Sequence, residues 1–520
     1  MKKDNQKMKN IDVILLILPF VAVTTLGVLF FLFPKESVVI TDYIRNILGE
    51  KLGWFYMLLG LGVFLTTLIV AFSKYGDIRL GNTDKPEYSN FQWGAMIFTS
   101  TMAADILYYS CSEWLMYAEG GVFNSIGELE LWGPTYALFH WGPIPWGFYL
   151  ILAIAFGFMI HVSGRSKQKF SESLRPLFGN KVDGKLGKGV DLIAIFALLA
   201  GTATTFSVAT PFLTEGICDV FSLEPSVTIN IIILIVIAII YTWAVLVGFK
   251  GIAFAAKACV YMFLFLVFWV LFLSGDTVYI VENGITALGN MVHNFLPLAT
   301  NMDPSRSTSF TQDWTIFYWA YWLVWCTATP FFIGVISKGR TVRNVIVGGY
   351  LSGLAGTFTS FIVFGGFGVS KQVSGSIDIV GQLGQGTTVP HIILDAFNTL
   401  PLAKGAILLL VATMIIFYVT TFDTLTMVIS IYSYKNLGEG KEPDKKVRGF
   451  WAVLFIILPI GLISAESSMH SLQSVAIIAA LPIGVIVILI VISFFKEASQ
   501  HIKEADSKKI ENIYIKEKEY

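Results

Sequence analysis

The chain has 520 residues, of which 55% are hydrophobic and only 14% charged, and its mean hydropathy is +0.69. That balance excludes a soluble multidomain protein and marks a polytopic membrane protein. A formal net charge of zero gives no footing for nucleic acid or for a strongly acidic partner.

The first apolar run, 11–33, follows a basic leader containing Lys2, Lys3, Lys7 and Lys9. It is too long for a secretory signal and lacks a small-residue cleavage site, so it reads as an uncleaved first span. Runs long enough to cross follow at 52–72, 91–118, 134–160, 188–217, 227–247, 250–274, 314–336, 343–367, 400–433, 448–464 and 472–495. They predict an all-α polytopic protein of about twelve transmembrane helices, with both termini on one side of the lipid bilayer. The positive-inside rule tests that count. Lys74, Arg79 and Lys85 follow the second span, and Arg165, Lys167, Lys169, Arg175, Lys181, Lys185 and Lys188 the fourth. Lys338, Arg340 and Arg343 follow the eighth, and Lys441, Lys445, Lys446 and Arg448 the tenth. The opposite loops 119–133 and 465–471 carry no Lys or Arg; the exception on that side is the first loop, with Lys35, Arg45 and Lys51. Cytoplasmic termini follow from this bias.

Two outer loops, 274–313 and 368–399, are long, and the mixed pattern over 281–298 predicts a helix lying in the interface. From Lys496 the chain mixes Lys and Glu and reads as a solvated tail. Cys111, Cys218, Cys259 and Cys326 lie in or beside apolar segments without metal-ligand spacing, which predicts buried free thiols.

Asp105 closes the stretch Thr99-Ser100-Thr101-Met102-Ala103-Ala104-Asp105, about halfway along the third span. A central Asp costs about 2.5 to 3.5 kcal/mol even on the lower insertion scales, which makes it a functional candidate by default. The alternative is a protonated or hydrogen-bonded Asp that only glues helices together. Its small and hydroxylated neighbours allow the helix to unwind and aim free carbonyls at a substrate or ion, as in discontinuous transporter helices. Glu113 and Lys257 lie near span ends, where long charged side chains snorkel, and receive no role.

The fourth span opens with His140-Trp141-Gly142-Pro143-Ile144-Pro145-Trp146-Gly147-Phe148-Tyr149, whose two prolines limit regular helix. Trp141, Trp146 and Tyr149 then converge as rigid walls, against the alternative of an interfacial belt for the two tryptophans. His140 reads as a hydrogen-bonded structural residue. In the eighth span Trp314, Tyr318, Trp319, Tyr321, Trp322 and Trp325 crowd together. Trp322 and Trp325 fall about 12 to 16 Å below a span start near Trp314, close to the middle of a roughly 30 Å hydrocarbon core. Lipid anchoring needs no rings at that depth. Tyr318, Trp322, Trp325 and Thr329, spaced i, i+4, i+7, i+11, share one helical face, with Tyr321 beside it. One ring over a desolvated cation contributes about 2 kcal/mol, so several together suit a quaternary ammonium that offers no hydrogen bonds. Core packing is the better account of any single ring, but not of the cluster. In the tenth span, Tyr418-Val419-Thr420-Thr421-Phe422-Asp423-Thr424 offers hydroxyls. These either bond to the preceding turn or, with carbonyls from the third span, coordinate a hard cation such as sodium. His140, His161, His293, His391 and His470 are scattered and no phosphate cradle is present, so an enzyme is not expected.

The stretch Asp313-Trp314-Thr315-Ile316-Phe317-Tyr318-Trp319-Ala320-Tyr321-Trp322, followed by Ile336-Ser337-Lys338-Gly339-Arg340-Thr341-Val342-Arg343, closely resembles the eighth-helix motif of the betaine/choline/carnitine transporter family. The segment from Phe139 to Tyr149 is similar to that family's fourth-helix motif, and the likeness runs from about the third span to the twelfth. The resemblance implies the inverted-repeat sodium-symporter fold. Residues 1–90 would hold the amino terminus and two peripheral helices, 91–274 the first five-helix repeat, and 275–313 an outer loop. The second repeat would occupy 314–495, ahead of a cytoplasmic tail at 496–520. It also implies a homotrimer, and a substrate cage lined by Trp141, Trp146, Tyr149, Tyr321, Trp322 and Trp325.

Departures from the family pattern refine this. Betaine-transporting members have a glycine-rich run in the third span, and Asp105 stands at its last position here; choline-transporting members are similar in carrying an acid there. An ionised Asp105 complements choline, a net cation, and repels the carboxylate of betaine or carnitine. Tyr321 stands where many members have tryptophan. Sodium-independent carnitine/butyrobetaine exchangers have an arginine where Cys259 stands and a methionine where Thr329 stands, which disfavours obligate exchange. Thr420 and Thr421 match the sodium-site hydroxyls of sodium-coupled members, while Asp105 is itself a candidate proton carrier, so the coupling ion stays open. The short soluble ends argue against strong osmotic self-regulation. The expectation is a bacterial plasma-membrane symporter of choline or a close quaternary ammonium, with a betaine or carnitine carrier second and a channel or membrane sensor of the same ligands as rivals.

Overall fold

A computed structural model describes residues 10–83, 85–100, 102–118, 122–123, 125–247, 249–437, 442–465 and 469–518. Lys2, Lys3, Lys7, Lys9, Thr101 and Lys441, and parts of the 119–133 and 465–471 loops, lie outside the described residues. Among those described, the chain is helical, with two isolated bridges, Ile11 to Tyr434 and Arg79 to Thr341, as the β-structure. The main helices are α1 (Val13–Leu32), α2 (Pro34–Asn46), α3 (Leu52–Ala71), α4 (Asn90–Thr99), α5 (Ala104–Met116), α6 (Ile126–His140) and α7 (Pro143–His161). They continue with α8 (Lys185–Phe221), α9 (Val227–Val247), α10 (Phe249–Leu273), α11 (Thr277–His293), α12 (Ile316–Trp325), α13 (Thr329–Ile336) and α14 (Val342–Ser360). The last are α15 (Val389–Phe397), α16 (Ala403–Tyr432), α17 (Lys445–Leu454), α18 (Ile457–Ser464) and α19 (Met469–Lys518).

Nine helices among the described residues are long and apolar enough to cross a membrane, and eleven when two bent pairs each count as one span. The remaining expected crossing, 91–118, is present as α4 and α5, each too short to span alone. The α12–α13 pair bends by 55° and the α10–α11 pair by 108°. That second bend lays α11 across the bundle where an interfacial helix was expected. Several boundaries differ from expectation. The fourth crossing begins at Ile126 rather than 134, because Ser125 caps it by accepting from the Glu128 amide at 3.2 Å. The outer loop 368–399 holds short helices, α15 among them, which are too brief to show as a periodic run.

Contacts between loops sort them onto two faces. Asp12 donates its amide to the Ser433 carbonyl at 2.7 Å, and Lys188 pairs with Asp12 at 2.9 Å. Leu80 donates to Arg340 at 2.8 Å and Arg165 pairs with Glu497. The amino-terminal end, the loops after spans two, four, eight and ten, and the carboxy-terminal helix therefore share one face. On the opposite face Glu50 pairs with Arg306, Asp276 with Lys371, and Asp219 with Lys404. Arg45, an exception to the charge bias, is 2% exposed and pairs with Asp313 at 3.2 Å, so its charge is held inside the protein.

Lipid is as apolar as leucine, so helices in a membrane associate through close packing rather than through water exclusion. Large apolar side chains such as Val13, Phe72, Ile239, Trp243, Tyr261 and Phe268 face outward from the bundle. Inside it, α7 and α13 cross at glycines: a Cβ on Gly334 would lie 2.9 Å from both the Ala153 carbonyl oxygen and the Gly157 amide nitrogen. Phe156 and Phe331 stack beside that crossing at 3.7 Å and 4°. Because the obstacles are backbone atoms, Gly334→Val should force the helices apart at about 1–3 kcal/mol. A lowered thermal unfolding midpoint of the purified variant checks this; an unchanged midpoint would contradict the crossing.

Candidate functional site: a cavity at three helix breaks

Three interruptions of helix border one cavity of about 290 Å³. The first separates α4 from α5. Thr99 Oγ1 donates to the Met96 carbonyl at 3.1 Å and Ser100 Oγ to that of Ile97 at 2.6 Å, and the Ser100 amide reaches both, so hydroxyls reinforce the last carbonyls of α4. α5 then restarts from an extended Ala103 (φ −136°, ψ 157°), which places Asp105 in its first turn. Unpaired amides and the helix dipole favour a carboxylate there. Asp105 is 4% exposed; its Oδ2 accepts from the Tyr321 hydroxyl and from Thr205 Oγ1 at 3.3 Å. Its Oδ1 has no hydrogen-bond partner among the described residues.

The second interruption lies at Trp141-Gly142, between α6 and α7. Gly142 is required, since a Cβ would come 2.4 Å from the Leu138 carbonyl oxygen. Pro143 opens α7 where its missing amide costs nothing. Thr357 of α14 donates to the freed Trp141 carbonyl at 2.9 Å. The third lies between Trp325 and Thr329, where Pro330 has no N–H to offer the Cys326 carbonyl.

Trp322 is the hub of the aromatic lining. Its ring centroid lies 5.5 Å from Trp141, 5.8 Å from Trp146 and 4.8 Å from Tyr149, tilted by 60–63°. Tyr321 meets Trp325 edge-on at 6.5 Å. Asp105, Trp141, Trp146, Tyr149, Tyr321, Trp322, Trp325 and Thr329 line the same cavity, with Thr420, Thr421 and Thr424 of α16 on another wall. Of the side chains singled out as cage or ion candidates, all of these border one space. Thr420 also back-bonds to the Ile416 and Phe417 carbonyls at 3.1 and 3.2 Å.

A family model for betaine/carnitine/choline (BCCT) transporters matches residues 14–503. The chain belongs to the BCCT family. As a BCCT protein it is a multi-pass secondary transporter of quaternary ammonium compounds, and the likeness noted at residues 313–322 and 139–149 holds over nearly its whole length. The transporter YeaV of Escherichia coli (strain K12), described as uncharacterized, is 27% identical over 461 residues, covering 87% of this chain and 94% of YeaV.

Two expectations for this BCCT site are corrected by the structure. The face expected along the eighth span does not run straight, because the helix breaks after Trp325 and bends. Tyr318 lies outside the cavity and instead stacks on His140 at 4.8 Å and 25°. Glu113 does not snorkel; it is fully buried and bonded to Trp141, Tyr117 and His140. Sequence reasoning also missed Thr205 of α8, whose hydroxyl sits 2.6 Å from that of Tyr321. Nothing in the sequence distinguishes it from Thr202, Thr204 or Thr210 on the same helix. Phe361, stacked on Trp141 at 5.1 Å, was hidden in an unremarkable apolar run. Trp322→Ala removes the ring that three others lean on. It should raise the transport KM for a quaternary ammonium at least tenfold, on the order of 1.4 kcal/mol, as measured by uptake into proteoliposomes; an unchanged KM would remove Trp322 from the site.

Proposed function

We propose that this BCCT protein imports choline, or a closely related quaternary ammonium without a carboxylate, by ion-coupled symport with alternating access. The observation that carries the reading is Asp105 Oδ1, buried and without a partner among the described residues in a cavity that six tryptophan and tyrosine rings help to line. Ring faces attract any trimethylammonium group. A carboxylate beside them that has, among the described residues, no cationic partner and one oxygen unbonded favours a ligand with net positive charge and disfavours one carrying its own carboxylate. Betaine and carnitine are therefore ranked below choline.

The coupling ion in this proposal is sodium or a proton. Thr420 and Thr421, which line the same cavity as Thr99, Ser100 and Ala103 of the α4–α5 break, supply neutral oxygens of the kind a hard cation accepts. Asp105 supplies a group that can carry a proton. The assembly proposed is a homotrimer in a bacterial plasma membrane, with the face rich in Lys and Arg toward the cytoplasm.

Uptake of radiolabelled choline and betaine into proteoliposomes, with sodium and proton gradients imposed separately, tests both substrate and ion. Choline accumulation should exceed betaine accumulation under at least one gradient. Asp105→Gly should shift the preference toward betaine by about tenfold or more. Equal competition by the two ligands before and after that replacement would remove Asp105 as the discriminating group.

A further inference from the structure

Glu113 sits about two turns beyond Asp105 on α5, outside the cavity and 0% exposed. Burying a carboxylate costs several kcal/mol unless it is compensated. Among the described residues no lysine or arginine lies within ion-pair distance of it; its one ionisable cationic neighbour is His140, whose Nδ1 is 3.4 Å from Oε1. The compensation comes from hydrogen-bond donors. Trp141 Nε1 donates to Oε2 at 2.6 Å and the Tyr117 hydroxyl donates to Oε1. The Tyr117 oxygen lies 2.7 Å from His140 Nδ1, and His140 Nε2 lies 3.0 Å from Thr315 Oγ1. A chain of polar groups thus runs behind the aromatic wall and ends on the indole nitrogen of one cavity ring.

The other tryptophans of that wall are held differently. The indole nitrogens of Trp146 and Trp322 are buried with no hydrogen-bond partner among the described residues. Trp141 alone of these three has its N–H on a carboxylate. Its ring is also packed by Phe361, stacked at 29°, and by Tyr109, Tyr318 and Trp322, inclined by 42–65°, with centroids 5.1 to 5.8 Å away.

We propose that Glu113 is a positioning residue that acts through Trp141: its carboxylate fixes the indole in plane and makes this cavity-lining ring more negative toward a bound cation. The physical basis is the ring quadrupole. A cation is drawn to the negative π face, and an anionic acceptor on the N–H, which forms a strong charge-assisted bond, pushes electron density back into the ring. The cationic-ligand part rests on the function proposed above; the bond to the indole does not.

Glu113→Gln keeps an acceptor and the side-chain shape while removing the charge. The test measures binding of choline and of its uncharged isostere 3,3-dimethylbutan-1-ol to the purified full-length protein by calorimetry, in wild-type and Trp141→Phe backgrounds. Glu113→Gln should weaken choline about tenfold and the isostere less than twofold. In the Trp141→Phe background the same replacement should change choline affinity less than twofold. Equal losses for both ligands, or the same choline loss without the indole N–H, would overturn the proposal. In parallel, the wild-type minus Trp141→Phe ultraviolet resonance Raman spectrum should report a strongly hydrogen-bonded indole that weakens on Glu113→Gln. A free indole signature in the wild type would overturn the proposal independently of any ligand. Should wild type bind neither compound, the choline reading falls, and the Raman signature alone decides whether Glu113 holds Trp141.

Discussion

A backbone carbonyl or amide that leaves its helix inside a bilayer finds no water, and each unsatisfied group costs several kcal/mol. That constraint governs the whole arrangement. Helix can be interrupted only where side chains or tight turns take over the abandoned groups. Here Ser100 closes α4 with both its amide and its hydroxyl, Thr357 serves Trp141, and Thr327, which donates to the Val324 carbonyl at 3.0 Å, serves α12. The hydroxyls and prolines around the cavity thus have a structural reason that precedes any ligand. Once the breaks exist, they free Asp105 to sit in a first helical turn and swing the fourth-span rings against Trp322.

The breaks also account for the pairing of chemistry in the cavity. A carboxylate, a set of ring faces and a row of hydroxyls come from separate elements, α5, α7, α12 and α16, none of which is a binding site alone. Asp105 is tied to the aromatic wall through the Tyr321 hydroxyl, and Tyr321 in turn to α8 through Thr205. Charge and ring geometry are therefore not independent variables in this protein. Thr205 touches Asp105 both directly and through Tyr321, although it is not among the residues that line the cavity.

Much of this was legible beforehand, and the reason differs from residue to residue. Asp105 stood out because an acid in an apolar run is costly, and Trp322 and Trp325 because rings at that depth have no anchoring role. The crossings themselves were legible because composition and length suffice to find them, although 91–118 turned out to be two short pieces. What stayed hidden depended on tertiary contact. Glu113 looked like a span-end residue and is sealed in by Tyr117, His140 and Trp141. Arg45 looked like an exposed loop charge and is held by Asp313. Tyr318 shares the unbroken α12 with Trp322 and Trp325 and still lies outside the cavity, against His140, since spacing fixes a direction but not how far along the helix the cavity reaches.

The glycine crossing of α7 and α13 carries one more consequence. With Gly334 backbone against Gly157 and Phe331 flat on Phe156, the inner half of the eighth span and the fourth span are welded into a single stiff unit. The unit ends on both sides at a helix break, Trp141-Gly142 before α7 and residues 326–328 before α13, so its two boundaries are also two edges of the aromatic chamber.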